Sequence, residues 1–236
     1  MTETRVPRQR LSTEQRQDEI VRATMDLVGE QGVDQVTTQA IADHIGLTQG
    51  AIFRHFASKE AIWLAVVRWI RERLLKAVDR AAAAAHDPMD ALQRIFFAHV
   101  DFAERHPAAS RLLTTTNAAV RRVLREMLDG YEARIAALVE EAQYQGLARA
   151  DLDPGAAAAA FTATIQGLVV RVLVLDTRPS MSAEARRIWP LLAAGIAAPG
   201  ANPAGDVDAD DLDAEQRVQL AQFHHYPPYI ACRNRA

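Results

Sequence analysis

The chain has 236 residues, of which 49% are hydrophobic and 24% are charged, and its net charge at pH 7 is -3. These values are typical of a globular protein with one large or two modest domains and a hydrophobic core. The single cysteine, Cys232, excludes an internal disulfide framework and fits a reducing cytosol. The N-terminal stretch has no apolar run, and no uncharged apolar stretch is long enough to cross a bilayer. We therefore expect a cytoplasmic protein without a signal peptide or membrane span.

The first segment, residues 1–11, is expected to be a flexible basic arm. It carries Arg5, Arg8 and Arg10 and is too polar to pack against a core. Two interpretations stay open for it. It is either a frayed terminus or an arm that adds contacts to DNA phosphates or to the minor groove.

Residues 12–60 are expected to form one small domain of three helices. The first helix should end at Gly32, where a glycine follows the last apolar position of one helical face. Within residues 37–56, two short helical patterns flank Gly46, and a threonine, Thr48, stands where the second helix should be capped. Two short helices around a glycine turn are the layout of a helix-turn-helix DNA-binding motif.

The residues predicted to contact DNA are those left outside when Ile52 and Phe56 face the core. They are Thr37, Thr38, Thr48, Gln49, Gly50, Ala51, Phe53, Arg54, His55 and Lys59. Gln49 can read an adenine edge, and Phe53 can touch a thymine methyl or lie along sugars. Phosphates are within reach of three side chains, namely Arg54, His55 and Lys59. No acid lies within residues 44–59, so the local charge favours phosphate contact.

This stretch resembles the N-terminal domain of the TetR family of bacterial regulators. The matching residues keep the family's order and spacing without a gap: Thr37, Ile41, Ala42, Gly46, Leu47, Thr48, Gly50, Ile52, Phe53, His55, Phe56, Lys59 and Glu60. The family usually has Tyr where this chain has Phe53, and its hydroxyl commonly contacts a phosphate. Only the packing of the ring is therefore expected from Phe53. The resemblance implies a homodimer that binds double-stranded DNA at a palindromic operator.

The rest of the chain has helical periodicity and no alternating strand pattern, so the predicted fold class is all-α. A three-helix N-terminal helix-turn-helix domain should be followed by a C-terminal helical ligand-binding and dimerisation domain over residues 61–198. A linking helix should begin after Ser58 and run to about residue 80. Asp-Pro pairs at residues 87–88 and 153–154 predict two further helix starts. A short helix is expected around Leu112 and Leu113. Residues 199–236, rich in Gly, Pro and Asp, are expected to form an acidic, flexible tail.

Residues 168–175, LVVRVLVL, are apolar nearly all round, with Arg171 as the interruption. Such a helix must be covered on more than one side, and a second copy of the chain could cover it. The resemblance points the same way, because TetR-like proteins dimerise through their last two helices. The residues predicted at the dimer interface are Ile165, Leu168, Val172, Leu175, Ile188 and Leu192.

A small-molecule effector is expected in the C-terminal domain, and its aromatic, weakly charged composition favours an apolar or aromatic ligand. The candidate ligand-binding residues are Phe96, Phe97, His99, Phe102, Tyr131, Phe161, Thr164 and Gln166. A plain hydrophobic core accounts for the same residues, so that alternative stays open. We expect no cofactor and no metal site, because His99, Asp101 and His106 have unfavourable spacing, and the histidines and cysteine of the tail supply too few ligands.

The function predicted from the sequence is a dimeric, sequence-specific transcriptional regulator, a repressor released by a small effector. The alternative is a DNA-binding regulator without a ligand, whose C-terminal core serves dimerisation only. An enzyme is not expected, since the sequence has no nucleophile elbow, phosphate-binding loop, zinc-protease motif or dinucleotide fingerprint.

Overall fold

The computed structural model describes residues 11–112, 118–174 and 180–200. Within these ranges the chain forms nine helices and no strand, apart from an isolated bridge between Ala148 and Ala197. The helices are α1 (Thr13–Gln31), α2 (Thr38–His44), α3 (Gln49–Ile52), α4 (Lys59–Ala83), α5 (Pro88–Arg105), α6 (Pro107–Arg111), α7 (Ala118–Tyr144), α8 (Pro154–Val174) and α9 (Met181–Ile196). The predicted all-α fold class is confirmed. The predictions for the basic arm before Leu11, for Leu175 and for the tail beyond residue 200 lie outside the described residues.

Short-range signals set both ends of α1 and the start of α5 where the sequence predicted them. The Ser12 hydroxyl accepts a hydrogen bond from the Gln15 backbone N–H at 3.1 Å, and the Gln15 side chain accepts one from the Ser12 N–H at 2.9 Å. This reciprocal capping box starts α1, and Gly32, at φ 85°, ends it. The Asp87 carboxylate caps α5 by accepting from the Asp90 N–H at 2.9 Å.

One helix lies earlier than predicted. The short helix expected around Leu112 and Leu113 is α6, at Pro107–Arg111. Proline fits the first helical position because its missing N–H would have no partner there, so Pro107 begins the helix directly after α5 ends. Leu112 follows as a fully buried residue, and Leu113 lies outside the described ranges.

The C-terminal core is built around α5, which packs against α4, α7, α8 and α9. Its central side chain is Phe96, which is 0% exposed. The Phe96 ring meets Phe161 of α8 edge-on with 5.5 Å between ring centroids, and Trp189 of α9 at 5.1 Å. Aromatic pairs at these distances add to the stability that burial alone gives. The aromatic cluster therefore joins three helices at the centre of the domain.

The helix-turn-helix segment is attached to this core through α1. That helix packs against α4 and α6, and the Arg111 guanidinium donates to the Val28 carbonyl at 3.4 Å. Gly29 faces Ala108, and a Cβ on Gly29 would lie 4.0 Å from the Ala108 Cβ. The α1 helix thus has one side on α2 and another on the C-terminal helices, which fixes the frame on which the DNA-binding motif is held.

Candidate nucleic-acid interface

The turn between α2 and α3 is held by local hydrogen bonds. The Thr37 hydroxyl accepts from the Ala40 N–H at 3.0 Å and caps α2, and the Thr48 hydroxyl accepts from the Ala51 N–H at 3.3 Å and caps α3. Gly46, at φ 64°, takes the left-handed conformation that ends α2. These contacts fix the angle between the two short helices.

The buried side of the motif is apolar. Ile41, Ala42 and Ile52 are at most 1% exposed, and Phe56 is 8% exposed. Regular α-helix in the second element ends at Ile52, and the chain continues in turns, with the Phe56 N–H donating to the Ile52 carbonyl at 3.1 Å. The segment after Thr48 is therefore shorter as a regular helix than the sequence predicted, while the same side chains stay inside.

Seven of the ten predicted DNA contacts are exposed: Thr37, Thr48, Gln49, Gly50, Phe53, Arg54 and Lys59. We call the six from Thr48 onward the reader surface. Phe53 is 45% exposed, which is unusual for a ring of this size and leaves it free to pack against a ligand. Ala51 is half-buried beside them. The reader surface offers an amide for a base edge, an apolar ring and two cations for phosphates.

Two predicted contacts are placed differently. Thr38 is only 8% exposed, and its hydroxyl accepts a hydrogen bond from the Gln49 side-chain amide at 2.7 Å. His55 is half-buried, and its Nδ1 has no hydrogen-bond partner among the described residues. The His55 carbonyl accepts from the Gln17 side chain of α1 at 2.9 Å. Sequence reasoning missed Gln17, because nothing in the sequence links residues so far apart.

Acidic side chains collect away from the reader surface. A surface hollow of about 780 Å³ lies between α1 and the turn after α2. Four carboxylates line it: Asp18, Glu19, Asp26 and Asp43. Neither Arg54 nor Lys59 belongs to that lining. These four acids are thus outside the reader surface, and local charge governs phosphate contact.

Comparison with known families agrees with this geometry. Residues 20–66 match the model described as bacterial regulatory proteins, tetR family, and residues 88–189 match the tetracyclin repressor-like C-terminal domain. The chain belongs to the TetR family of DNA-binding regulators. The two matches cover the reader and the helices from α5 to most of α9, so the membership rests on both parts of the chain.

Several TetR-like relatives are similar along most of this chain. The nucleoid occlusion factor SlmA of Vibrio cholerae is 23% identical over 187 residues, 77% of this chain and 95% of its own. FadR of Bacillus halodurans superposes with a TM-score of 0.68 at 20% identity, covering 75% of this chain and 94% of that one. FadR of Bacillus subtilis, solved in complex with stearoyl-CoA, has the same TM-score and identity and covers 76% and 98%. At these identities the structural likeness shows the fold.

In this TetR-family chain the predicted ligand residues include two packed groups, Phe96 with Phe97 and Phe161, and His99 with Tyr131. Phe96, Phe102, Tyr131 and Phe161 are buried, and Phe97, His99, Thr164 and Gln166 are half-buried. Two surface hollows of the described chain, of about 780 and 420 Å³, are lined by none of these eight residues. Trp189, which the sequence analysis missed, joins the cluster, and its indole N–H is buried without a partner among the described residues.

One polar pair lies among these residues. His99 Nδ1 and the Tyr131 hydroxyl are 3.1 Å apart, with the rings edge to face. Burial lowers the pKa of His99 to about 4 and raises the pKa of Tyr131 above its usual value. Both groups are therefore neutral at pH 7, since burial in an apolar region disfavours the charged forms.

The predicted dimer residues divide into two groups. Ile165 and Leu168 are 1% and 2% exposed and pack inside the protomer, so they cannot meet a second copy directly. Three others are half-buried against the core, namely Val172, Ile188 and Leu192. The structure thus moves the candidate interface to neighbouring positions of the same helices.

Those positions are large apolar side chains left on the surface. Of the six that are exposed in the described ranges, four lie on α8 and α9: Val170 (51%), Leu173 (37%), Val174 (72%) and Leu191 (76%). We call these four the α8–α9 face. By length and composition α8 could also cross a membrane, although the sequence analysis expected no such segment. The packing of α8 gives another explanation of its apolar character. One side of the helix packs on α7 and α9, and the other side carries the exposed residues of the α8–α9 face.

Proposed function

We propose that the protein is a cytoplasmic, homodimeric transcriptional repressor that binds a palindromic operator through the reader surface. One observation supports this proposal: the Gln49 amide, the Phe53 ring and the Arg54 and Lys59 cations are exposed on α3 and its flanks. The helix-turn-helix frame that holds them is capped at both short helices. In that arrangement the second helix enters the major groove and its first residues meet base edges. Gln49 would read adenine, and Arg54 and Lys59 would contact phosphates.

The α8–α9 face supports the homodimer. Val170 and Val174 lie one turn apart on α8, and Gly167 lies on the same side with open space where its side chain would be. A glycine there allows a second helix to approach closely, and each large apolar side chain covered by it contributes roughly 1.5–3 kcal/mol. A two-fold dimer through this face would present two reader surfaces to two half-sites.

An effector would act by linkage. A ligand that prefers a dimer geometry with mis-spaced reader surfaces weakens operator binding by its differential affinity for the two geometries. The apolar cluster around Phe96 and the neutral His99–Tyr131 pair support an apolar ligand with one hydrogen-bonding group. The stearoyl-CoA bound by the similar FadR makes long-chain acyl-CoA a reasonable first compound to screen.

The alternative is a DNA-binding regulator without a ligand. Its support is the contact of Phe96 with both Phe161 and Trp189, which fills the centre of the domain with the chain's own side chains. The similar protein SlmA is a nucleoid occlusion factor, which also supports a role other than repression by an effector. Release of the operator complex by a bound small molecule favours the first function. A ligand screen without effect on either operator affinity or melting temperature favours the second.

The DNA-binding proposal is tested by selecting binding sites from random double-stranded DNA with the full chain. We expect a palindromic consensus and a dimer in sedimentation at micromolar protein. Gln49→Ala should relax the preference at one base pair in each half-site by roughly 5- to 100-fold. A selected pool without any consensus would contradict the proposal, as would a monomer that binds with full affinity.

A further inference from the structure

The Gln49 side chain has a hydrogen-bond partner within the protein itself. Its amide Nε2 donates to the Thr38 hydroxyl at 2.7 Å, across from α3 to the first residue of α2. Thr38 is 8% exposed, whereas Gln49 is exposed. A long, exposed side chain on a recognition helix usually samples several rotamers, so a short bond to a buried partner fixes one of them.

The Thr38 hydroxyl is available to Gln49 because the neighbouring residue, Thr37, caps α2. The hydroxyl that satisfies the free N–H groups at the start of α2 belongs to Thr37, which accepts from the Ala40 N–H at 3.0 Å. Thr38 comes one residue later and faces α3 instead of solvent. The two adjacent threonines, both predicted from the sequence to contact DNA, therefore have different roles.

The bond limits what the Gln49 amide can offer to a base. An amide NH₂ has two hydrogens, and one of them is directed at Thr38. The second hydrogen and the Oε1 acceptor remain, which match adenine N7 and the adenine N6 amino group. Guanine presents two acceptors in the major groove, N7 and O6. An amide with both hydrogens free could donate to both, whereas the Gln49 amide held by Thr38 cannot.

We propose that Thr38 is a positioning residue for base reading: its hydroxyl holds the Gln49 amide so that the reader surface accepts adenine and rejects guanine at one base pair of each half-site. The inference rests on the proposed function, since it requires that Gln49 meets a base. Thr38 itself contacts no DNA in this arrangement, because it is buried beneath Gln49. Its removal should change selectivity at one position and leave the rest of the operator contacts alone.

The test compares Thr38→Val with wild type on operators that differ at single base pairs. Valine keeps the shape of threonine and removes the hydroxyl. Wild type should prefer adenine over guanine by roughly 5- to 100-fold at the base pair that Gln49→Ala identifies. In Thr38→Val that preference should fall to about threefold or less, with the ranking at every other position unchanged. Thr38→Ser keeps the hydroxyl and should restore the preference.

The outcomes separate the inference from the proposed function. A wild type without sequence preference removes the proposed function and the inference together. If wild type prefers adenine and Thr38→Val has the same preference, the inference alone is overturned. Equal loss of affinity on every operator also overturns it, because that result indicates a structural role. In a Gln49→Ala background, Thr38→Val should have no further effect on the preference.

A measurement on unmodified protein keeps the inference testable if Thr38→Val does not fold. The Gln49 side-chain amide can be assigned by the loss of its NMR signal in Gln49→Ala. Its ¹⁵N relaxation in the free wild type should be close to that of the α3 backbone, because the bond to Thr38 restrains it. An amide as mobile as those of unrestrained surface glutamines would overturn the inference.

Discussion

The reader surface and the α8–α9 face are both exposed, and they are exposed for opposite reasons. The reader surface carries an amide, a guanidinium and an ammonium on a short frame whose backbone is satisfied by threonine caps. The α8–α9 face carries four large aliphatic side chains. Hydrated polar groups are stable in water until DNA replaces the water, whereas an exposed apolar patch favours association at once. The difference matches the proposed division of roles, in which the reader surface meets DNA and the α8–α9 face meets a second copy of the chain.

The largest effect is expected on the free energy of unfolding, from a substitution that lies outside both surfaces. Phe96→Ala removes the centre of the aromatic cluster and should lower the free energy of unfolding by roughly 3–5 kcal/mol. Phe53→Ala is the matched variant on the reader surface, where the ring is 45% exposed. Phe53→Ala should change the free energy of unfolding by less than about 0.5 kcal/mol and still weaken operator binding. Urea denaturation with fluorescence titration of operator DNA checks both, and a large stability loss in Phe53→Ala would contradict the contrast.

A charge on the α8–α9 face should break the dimer. Val170→Glu would bury two unpaired carboxylates across a two-fold interface, which weakens association by at least ~100-fold. Operator affinity should fall with it because half-sites are then bound singly. Val170 is a cleaner position than Val172, which is half-buried within the protomer. Analytical ultracentrifugation and operator titration measure the two effects.

Tyr144→Glu is the control for that variant. Tyr144 is 89% exposed at the end of α7, outside the α8–α9 face, so the same charge there should leave the dimer intact. Equal dissociation by both variants would show that the interface is not confined to α8 and α9.

The pH dependence of stability should come from the C-terminal region. Burial lowers the pKa of His99 to about 4, and burial together with Arg105 and Arg73 lowers that of His106 to about 4. The unfolded chain binds these protons below about pH 6.5, whereas the folded chain does not, so stability is fully present above that pH and falls toward pH 4. The expected loss at pH 5.5 is about 1 kcal/mol for each histidine.

Thermal unfolding in matched buffers measures this loss. The double variant His99→Gln, His106→Gln should lose less stability between pH 7 and pH 5.5 than wild type. Glutamine retains a hydrogen-bonding group near Tyr131 without an imidazole to protonate. An unchanged pH slope in the double variant would assign the effect to other groups.

The smallest effect is expected on DNA affinity, and it distinguishes a phosphate contact from a base contact within the reader surface. Lys59→Ala should weaken binding to all DNA sequences alike by a few-fold, because lysine contacts phosphate. It should also reduce the slope of log affinity against log salt concentration by about one. Gln49→Ala should leave the salt slope unchanged and alter the ranking of operators. Titrations at several salt concentrations distinguish the two, and a change of ranking in Lys59→Ala would contradict the assignment.

The helix-turn-helix motif could be predicted from the sequence because local interactions determine it. Thr37 and Thr48 cap helices through N–H groups three residues away, and Gly46 takes a backbone conformation that other residues resist. The apolar spacing of Ile41, Ala42 and Ile52 then orients both short helices. Each of these signals lies within a few residues, so they are readable without tertiary structure.

The orientation of α8 could not be predicted in the same way. Its residues are apolar on nearly every side, so periodicity does not distinguish the inner face from the outer one. Packing against α7 and α9 places Ile165 and Leu168 inside and leaves Val170 and Val174 outside. The candidate dimer interface therefore shifted by one or two positions along a helix that was itself predicted.

The sequence by itself determined the all-α architecture, the capped starts of α1, α2, α3 and α5 and most residues of the reader surface, because caps, glycines and amphipathic spacing act over one or two turns. Only the tertiary structure decided that Thr38 is buried beneath Gln49, that Gln17 binds the His55 carbonyl, and that Phe96 meets Trp189. Those contacts join residues on different helices. Their partners depend on how the helices pack, which no local pattern encodes.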